Sequence, residues 1–320
     1  MFHSPTLANS AIENNLRYFQ KTLDKTTYFM YTVTQQVTNY IKEVEMINIK
    51  TLGPVSANLL ASLYKIGKII FKANDIERIT ELNSNAARKL RHDLIERNII
   101  ARLKPGKYII VPQELGETTR YIGNWYVAGR EIVKSPDYYI SHYSAMDIHN
   151  MLTHPLIKVF ITTPIQQYKK QRTVGNATFE FIYTNLSNIW GVKKVWVTNS
   201  EQVRVSDIER TIIDCLYRPK YCGGIMEIVN GLWMQKEEID FNKLLKYVIK
   251  FNRIVVIKRL GYILDCLGLQ DTKYLSQLRT KINNKYYVLD PLLLTEVTYK
   301  NSWKLIANIS PEEMKKSIST

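Results

Sequence analysis

Asn85, Arg88, Lys89 and His92 recur at spacings of three and four residues, so a helix gathers them on one side, with Arg91 near its boundary. Arginine pairs bidentately with guanine and asparagine with adenine, so this face carries the chemistry for reading base edges in a DNA major groove. A little further on, Arg102, Lys104 and Lys107 supply positive charge suited to backbone phosphates. Asp93 and Glu96 fall only in the later half of the same helix, where repulsion from phosphate would keep its end out of the groove. Between Lys65 and Lys107 there are 11 Lys/Arg and 5 Asp/Glu. The alternative is an ordinary solvated face of a small helical domain.

The elements that must position these residues are legible around them. Ser56–Ile70 places Leu59, Leu60, Leu63, Ile66, Ile69 and Ile70 on one helical stripe. Asn74 with Glu77 reads as a capping box for a short helix over Asp75–Thr80. Ser84 is placed to cap a longer helix, Asn85–Arg97, whose Ala87, Leu90, Leu94 and Ile95 would pack inward. Ile99–Leu103 and Tyr108–Val111 then flank the turn Lys104-Pro105-Gly106-Lys107. Helix, helix, recognition helix and β-hairpin in that order is a winged helix-turn-helix.

Length and composition bound the rest. A chain of 320 residues accommodates two domains with cores, and 45% hydrophobic with 23% charged residues is a folded composition. The expected class is α+β: a helical extension at residues 1–50, a winged helix at 51–113, a mixed α+β domain at 120–305 and a tail at 306–320. Pro112–Glu117 reads as a linker. A formal charge of +15 favours a polyanionic partner. Three cysteines without C-x2-C spacing make neither a disulfide framework nor a structural zinc site. No signal peptide and no run of 18 apolar residues is visible, so a cytoplasmic location without membrane spans is expected.

In the second half, strands are expected at Tyr138–Ile140, Lys158–Thr163, Thr178–Tyr183, Lys194–Thr198 and Val203–Val205. Helices are expected at Tyr121–Val133, Ser144–Leu152, Asp207–Leu216, Gly224–Leu232, Phe241–Lys250 and Val256–Leu267. Three blocks here resemble signatures of the AbiEi-type antitoxins. They are Tyr139–Ala145 with His149; Val205–Leu216 running into Arg218-Pro219 and Cys222-Gly223-Gly224; and Asn252 with Lys258–Leu264. With the winged helix, the resemblance covers roughly residues 56–305, and residues 1–50 lie outside it. It implies a two-task protein that is not an enzyme and needs no cofactor. The winged helix represses its own operon at inverted repeats in double-stranded DNA. The second domain counters a nucleotidyltransferase-like toxin in abortive infection, without a stable toxin complex. A single winged helix offers a small interface, so a homo-oligomer on a repeat is expected.

Other chemistry in these blocks has structural rivals. Ser206 with Glu209 reads as a capping box, and Arg210 can pair with Asp207 and Asp214. The same acids could instead form an acid–base or metal site. Gly223-Gly224 ahead of an apolar helix could face a phosphate or simply make a tight turn. His142, His149 and His154 lack zincin spacing and read as structural. A nuclease wants acid-x-Lys on a strand, and only Asp271-Thr272-Lys273 and Glu313-Met314-Lys315 match, neither on a convincing strand. The rival functions are a regulator whose C-terminal domain senses a ligand in an apolar pocket and, further off, a magnesium-dependent nuclease.

Overall fold

A computed structural model describes residues 52–112, 121–133, 135–167, 169–295, 299 and 301–319. The expected extension over residues 1–50 and most of the linker at 112–117 lie outside the described residues. Helix α1 (Pro54–Lys65) opens on a proline, which has no N–H to leave unpaired at that position. It buries Ser56, Leu59, Leu60 and Leu63. The sequence predicts an apolar stripe running on to Ile70, but the helix stops five residues earlier at Lys65 and the chain turns at Gly67, whose φ is +64°. There Lys68 N–H donates to the Leu63 carbonyl at 2.8 Å, a Schellman-type closure. Ile66 and Ile69 are left exposed, and Ile70–Lys72 becomes a strand, β1.

Helix α2 (Ala73–Thr80) is capped by a different pair from the expected Asn74 and Glu77. The Asp75 carboxylate accepts from the Lys72 backbone N–H at 2.7 Å and from Lys68 Nζ at 2.8 Å. Helix α3 (Ser84–Glu96) is capped by Asn83, not Ser84, through a 3.0 Å bond from Ala86 N–H to its side-chain oxygen. Ala87 and Leu94 are buried, while Leu90 and Ile95 are half-buried. Strands β2 (Ile100–Lys104) and β3 (Lys107–Ile110) form the wing, and β1 pairs on the far side of β3 in the order β1-β3-β2.

The rest of the chain is α+β, built on a six-stranded mixed sheet. Its strands are β4 (Tyr139–Ile140), β5 (Val159–Thr163), β6 (Gln171–Val174), β7 (Ala177–Tyr183), β8 (Val192–Trp196) and β9 (Gln202–Ser206), in the order β6-β7-β5-β4-β9-β8. Every residue of β5 is buried, as a central strand covered on both faces requires. Helix α4 (Trp125–Ile132) lies so close to one face that a Cβ on Gly129 would meet Ile161 Cδ1 at 2.8 Å. Ile140, Val159, Ile161, Phe179 and Val205 belong to the core on that side. By the two-residue period of a strand, Tyr139, Thr162 and Ile182, which are register partners across β4, β5 and β7, face the other way.

Towards that opposite face come α5 (His142–Ile148) and a helical layer of α6 (Ile208–Tyr217), α7 (Ile225–Met234), α8 (Phe241–Phe251), α9 (Ile254–Leu267) and α10 (Thr272–Arg279), which share the larger apolar core. The expected tail at 306–320 is part of this layer. Strand β11 (Leu305–Ile306) pairs in parallel with β10 (Tyr287–Val288), and α11 (Pro311–Ser317) opens on a capping box between Ser310 and Glu313. Trp303, Leu305, Ile309 and Met314 are buried, and Trp303 lies over Gly261, where a Cβ would meet its ring at 2.1 Å. These apolar residues are too few and too widely spaced to make a stripe, which is why the segment reads as a tail.

The packing of α11 makes a simple prediction. Met314→Ala should lower unfolding stability by about 2–4 kcal/mol, as a large-to-small core change does. An unchanged urea midpoint would return residues 306–319 to the status of a tail.

Candidate nucleic-acid interface

Once Ala87 and Leu94 turn inward, helical geometry forces Asn85, Arg88, Lys89 and His92 outward, and all four are exposed. They line one open groove of about 650 Å³ together with Arg91, Asp93, Ile95, Tyr108 and Arg102 of β2. Six of the eight residues singled out from the sequence thus meet at one surface: Asn85, Arg88, Lys89, Arg91, His92 and Arg102. Helix α3 has 13 residues, about 20 Å at 1.5 Å per residue, a length and width that a major groove admits.

Arg91 is half-buried, with its guanidinium 5.5 Å from the centre of the Tyr108 ring. This cation–π contact braces α3 against β3 and contributes about 0.5–1 kcal/mol. Its part in the groove is therefore structural at least on one side. Arg102 is the exposed wing cation that faces the same space as α3.

Lys104 and Lys107 lie outside the groove. Lys107 instead makes an ion pair with Glu131 of α4, and Arg130 reaches the same carboxylate at 3.0 Å. Burial, together with Lys104, Lys72 and Arg130 nearby, pushes the Lys107 ammonium below its usual value. The expected phosphate contact from Lys107 is thus corrected to a tie between wing and sheet domain. Glu131 lies 24 residues away in sequence, so local pattern carried no sign of it. Lys104 is half-buried at the same hairpin.

The acids of the Val205–Leu216 block resolve into structure. Asp207 caps α6 through the Arg210 N–H at 2.9 Å, in place of the expected Ser206, because β9 runs on through Ser206. Lys243 Nζ bridges Asp207 at 3.1 Å and Glu209 at 2.7 Å, and Glu209 also accepts from Asp240 N–H. Asp214 pairs with Arg210 Nε at 3.0 Å and accepts from the Tyr139 hydroxyl at 3.0 Å. Burial raises the Asp214 carboxyl, and Arg210 beside it works against that rise. Asp207 and Glu209 share Lys243 while Asp214 is engaged by Arg210 and Tyr139, so the three acids do not converge as a metal or acid–base site would.

Other expectations from the sequence find similar answers. Gly223 and Gly224 make the tight turn, at φ +75° and +95°, and the N-terminus of α7 is filled by Asp290, which accepts from Ile225 N–H at 2.6 Å. His149 Nε2 meets the Ser206 carbonyl at 2.7 Å, and His154 lies against Glu227. His142 is buried at φ +52° against Tyr221 and Phe160. Asp271 and Glu313, the acid-x-Lys candidates, cap or begin helices, and Glu180 on β7 pairs with Lys158 at 2.8 Å. Among the described residues, His92, Asp93 and Glu96 place ligand-type atoms within 4.8 Å of one another on α3. Their exposure matches an ordinary helical His–Glu pair, with 3.6 Å between His92 and Glu96. Among the described residues no helix is long and apolar enough to cross a membrane.

Neither a family model nor a curated protein sequence matches this chain. Among solved structures, a crystal structure of the RV2827C protein from Mycobacterium tuberculosis is similar. It matches over 84% of this chain and 96% of its own, with a TM-score of 0.64 and 12% identity. At that identity the likeness shows a shared fold and nothing further.

Burial of His142 has a consequence for pH. Desolvation, aided by Arg218 and Arg210, pushes its imidazole down to about 3 from an ordinary 6.5. The unfolded chain therefore takes up a proton below pH 6.5 that the folded chain refuses. Its contribution to stability is complete above pH 6.5 and is lost toward pH 3, by about 1.4 kcal/mol per unit. His142→Asn, which tolerates the left-handed backbone, should flatten the acid limb of a urea-stability profile between pH 6 and 4. Superimposable slopes would clear His142 of responsibility.

Proposed function

We propose that this chain is a DNA-binding transcriptional autorepressor with antitoxin activity, resembling the AbiEi type, acting on double-stranded DNA in the cytoplasm. The observation that carries the reading is the groove between α3 and β2, where Asn85, Arg88, Lys89, His92 and Arg102 lie side by side, all exposed. An asparagine, an arginine, a lysine and a histidine on about two turns of helix match the groups that base edges call for. Arg102, on the adjoining wing strand, supplies charge suited to a flanking phosphate. Asp93 and Glu96 set a sign change along the helix, so its N-terminal half is the end that enters the groove.

In this reading the protein binds inverted repeats in its own promoter as two or more copies. It also counters a nucleotidyltransferase-like toxin encoded beside it, without forming a stable complex. DNA binding rests on the groove; the antitoxin half rests on the resemblance of the Tyr139–Ala145, Val205–Leu216 and Lys258–Leu264 blocks. Neither task requires the protein to catalyse a reaction or to hold a cofactor.

Electrophoretic shifts on the upstream promoter test the DNA half. Arg88→Ala with Lys89→Ala should weaken specific binding at least tenfold, since a good bidentate contact is worth about 1–3 kcal/mol, while the circular dichroism spectrum is unchanged. A shift as strong as wild type would sink the assignment. Arg102→Ala should lower the slope of log affinity against log salt by about 1. Lys107→Ala should leave that slope alone and instead reduce the melting temperature, and the reverse pattern would restore Lys107 to the DNA face. Co-expression with the adjacent gene tests the antitoxin half, with rescue of growth as the expected result.

A further inference from the structure

We propose that the sheet domain carries a second binding site, independent of the groove on α3: a cationic pocket for the phosphate group of a small phosphate monoester, such as a mononucleotide. The pocket measures about 220 Å³ and opens on the sheet face opposite α4, where Tyr139 and Thr162 sit side by side. Arg210, Arg218 and Arg253 line it, from the first turn of α6, the end of α6 and the start of α9. The acid in its lining is Asp214, already engaged by Arg210 and Tyr139. His142, also at the wall, is held neutral by its burial. Among the described residues that line it, three arginines against one aspartate leave the pocket net positive.

Arg210 is the buried arginine of this lining. Its side chain is 2% exposed, and its Nε and Nη2 donate to Asp214 and Tyr139. Its Nη1 is buried with no hydrogen-bond partner among the described residues. A buried donor left unmade costs more than a hydrogen bond returns. A buried ion pair is seldom the most stable way to fill a core. The guanidinium lies 4.1 Å from the centre of the Trp190 ring, which offsets part of that cost, and an anion held by Arg218 and Arg253 would add opposite charge beside it.

Geometry selects the class of anion. Arg218 and Arg253 flank the Tyr217 ring, with guanidiniums 5.4 and 5.7 Å from its centre, which holds two planar forks at the mouth. Guanidinium forks match the paired oxygens of a phosphate better than a point charge does. Thr184 and Asn185 on the rim add neutral polar groups for the remaining oxygens or a sugar hydroxyl. A duplex phosphodiester, shielded by a sugar on either side, offers the two forks fewer free oxygens than a terminal monoester does. This pocket is polar and cationic, unlike the apolar one that a ligand-sensing domain was expected to hold.

Isothermal titration of the full-length chain tests the proposal, with inorganic phosphate, AMP and adenosine as probes. The background is the Arg88→Ala, Lys89→Ala protein, so that the α3 groove contributes no anion binding. Phosphate and AMP should bind while adenosine does not. Arg218→Ala and Arg253→Ala should each weaken AMP at least tenfold without changing the melting temperature of the unliganded protein. Both are chosen over Arg210, whose removal could unfold the domain. A 5′-phosphorylated pentanucleotide binding more tightly than AMP, with the 5′-hydroxyl strand inert, would support the monoester site and assign it to a strand end. Equal heats for AMP and adenosine, or AMP binding untouched by both arginine changes, would overturn it. Because the groove variant is the starting protein, failure of promoter binding and failure of this pocket are read separately.

Discussion

The arrangement that everything else leans on is the burial of one wing face in the core of the sheet domain. Leu103 of β2 and Ile109 of β3 belong to the same apolar cluster as Ile122, Tyr126 and Val127. Gly123, at φ +70°, lies so close to Ile109 that a Cβ there would stand 2.6 Å from its Cδ1. The ion pair between Lys107 and Glu131 closes the polar edge of the same junction. A hairpin that is half of one module and half of another cannot swing freely. The exposed cationic face of α3 is thereby given a fixed direction relative to the six-stranded sheet, and residues 53–320 form one unit.

That junction also explains why the wing is short and its cations divide. Side chains alternate along β2 and β3, so turning Leu103 and Ile109 toward α4 leaves Arg102 on the outside, while Lys107 is drawn to Glu131. The wing thus offers one exposed arginine to the groove, while Lys107 holds the hairpin in place. On the far side of the sheet the same alternation sends Tyr139 and Thr162 toward α6, where they meet Arg210 and Asp214. Two cationic surfaces are separated by the thickness of a sheet whose central strand has no exposed residue.

Much of the helix-turn-helix and its hairpin was legible because their signals are local. Ala87 and Leu94 against Arg88 and Lys89 declare both faces of α3 within a single helix, and Pro105-Gly106 declares the hairpin. Boundaries were less legible where two candidates compete. Asn83 and Ser84 are both good caps, and Asp75 outcompeted Glu77 because Lys68 folds back to neutralise it. Strand β1 was invisible because three residues, Ile70–Lys72, show no periodicity of their own. Helix α11 was missed because its anchoring residues, Ile309 and Met314, are buried singly.

From the order of residues alone came the α+β class, the run of helix, turn, helix and wing, and the identity of the cationic face. Those are consequences of spacing, which a chain carries with it into any environment. Which cations stay exposed, which acids are neutralised, and which partners a buried arginine finds depend on residues far off along the chain. Glu131 for Lys107, Tyr139 for Arg210 and Asp290 for the N-terminus of α7 are met only when the chain folds. The chemistry of a charged group is set by what lies within a few ångströms of it, and only folding decides that.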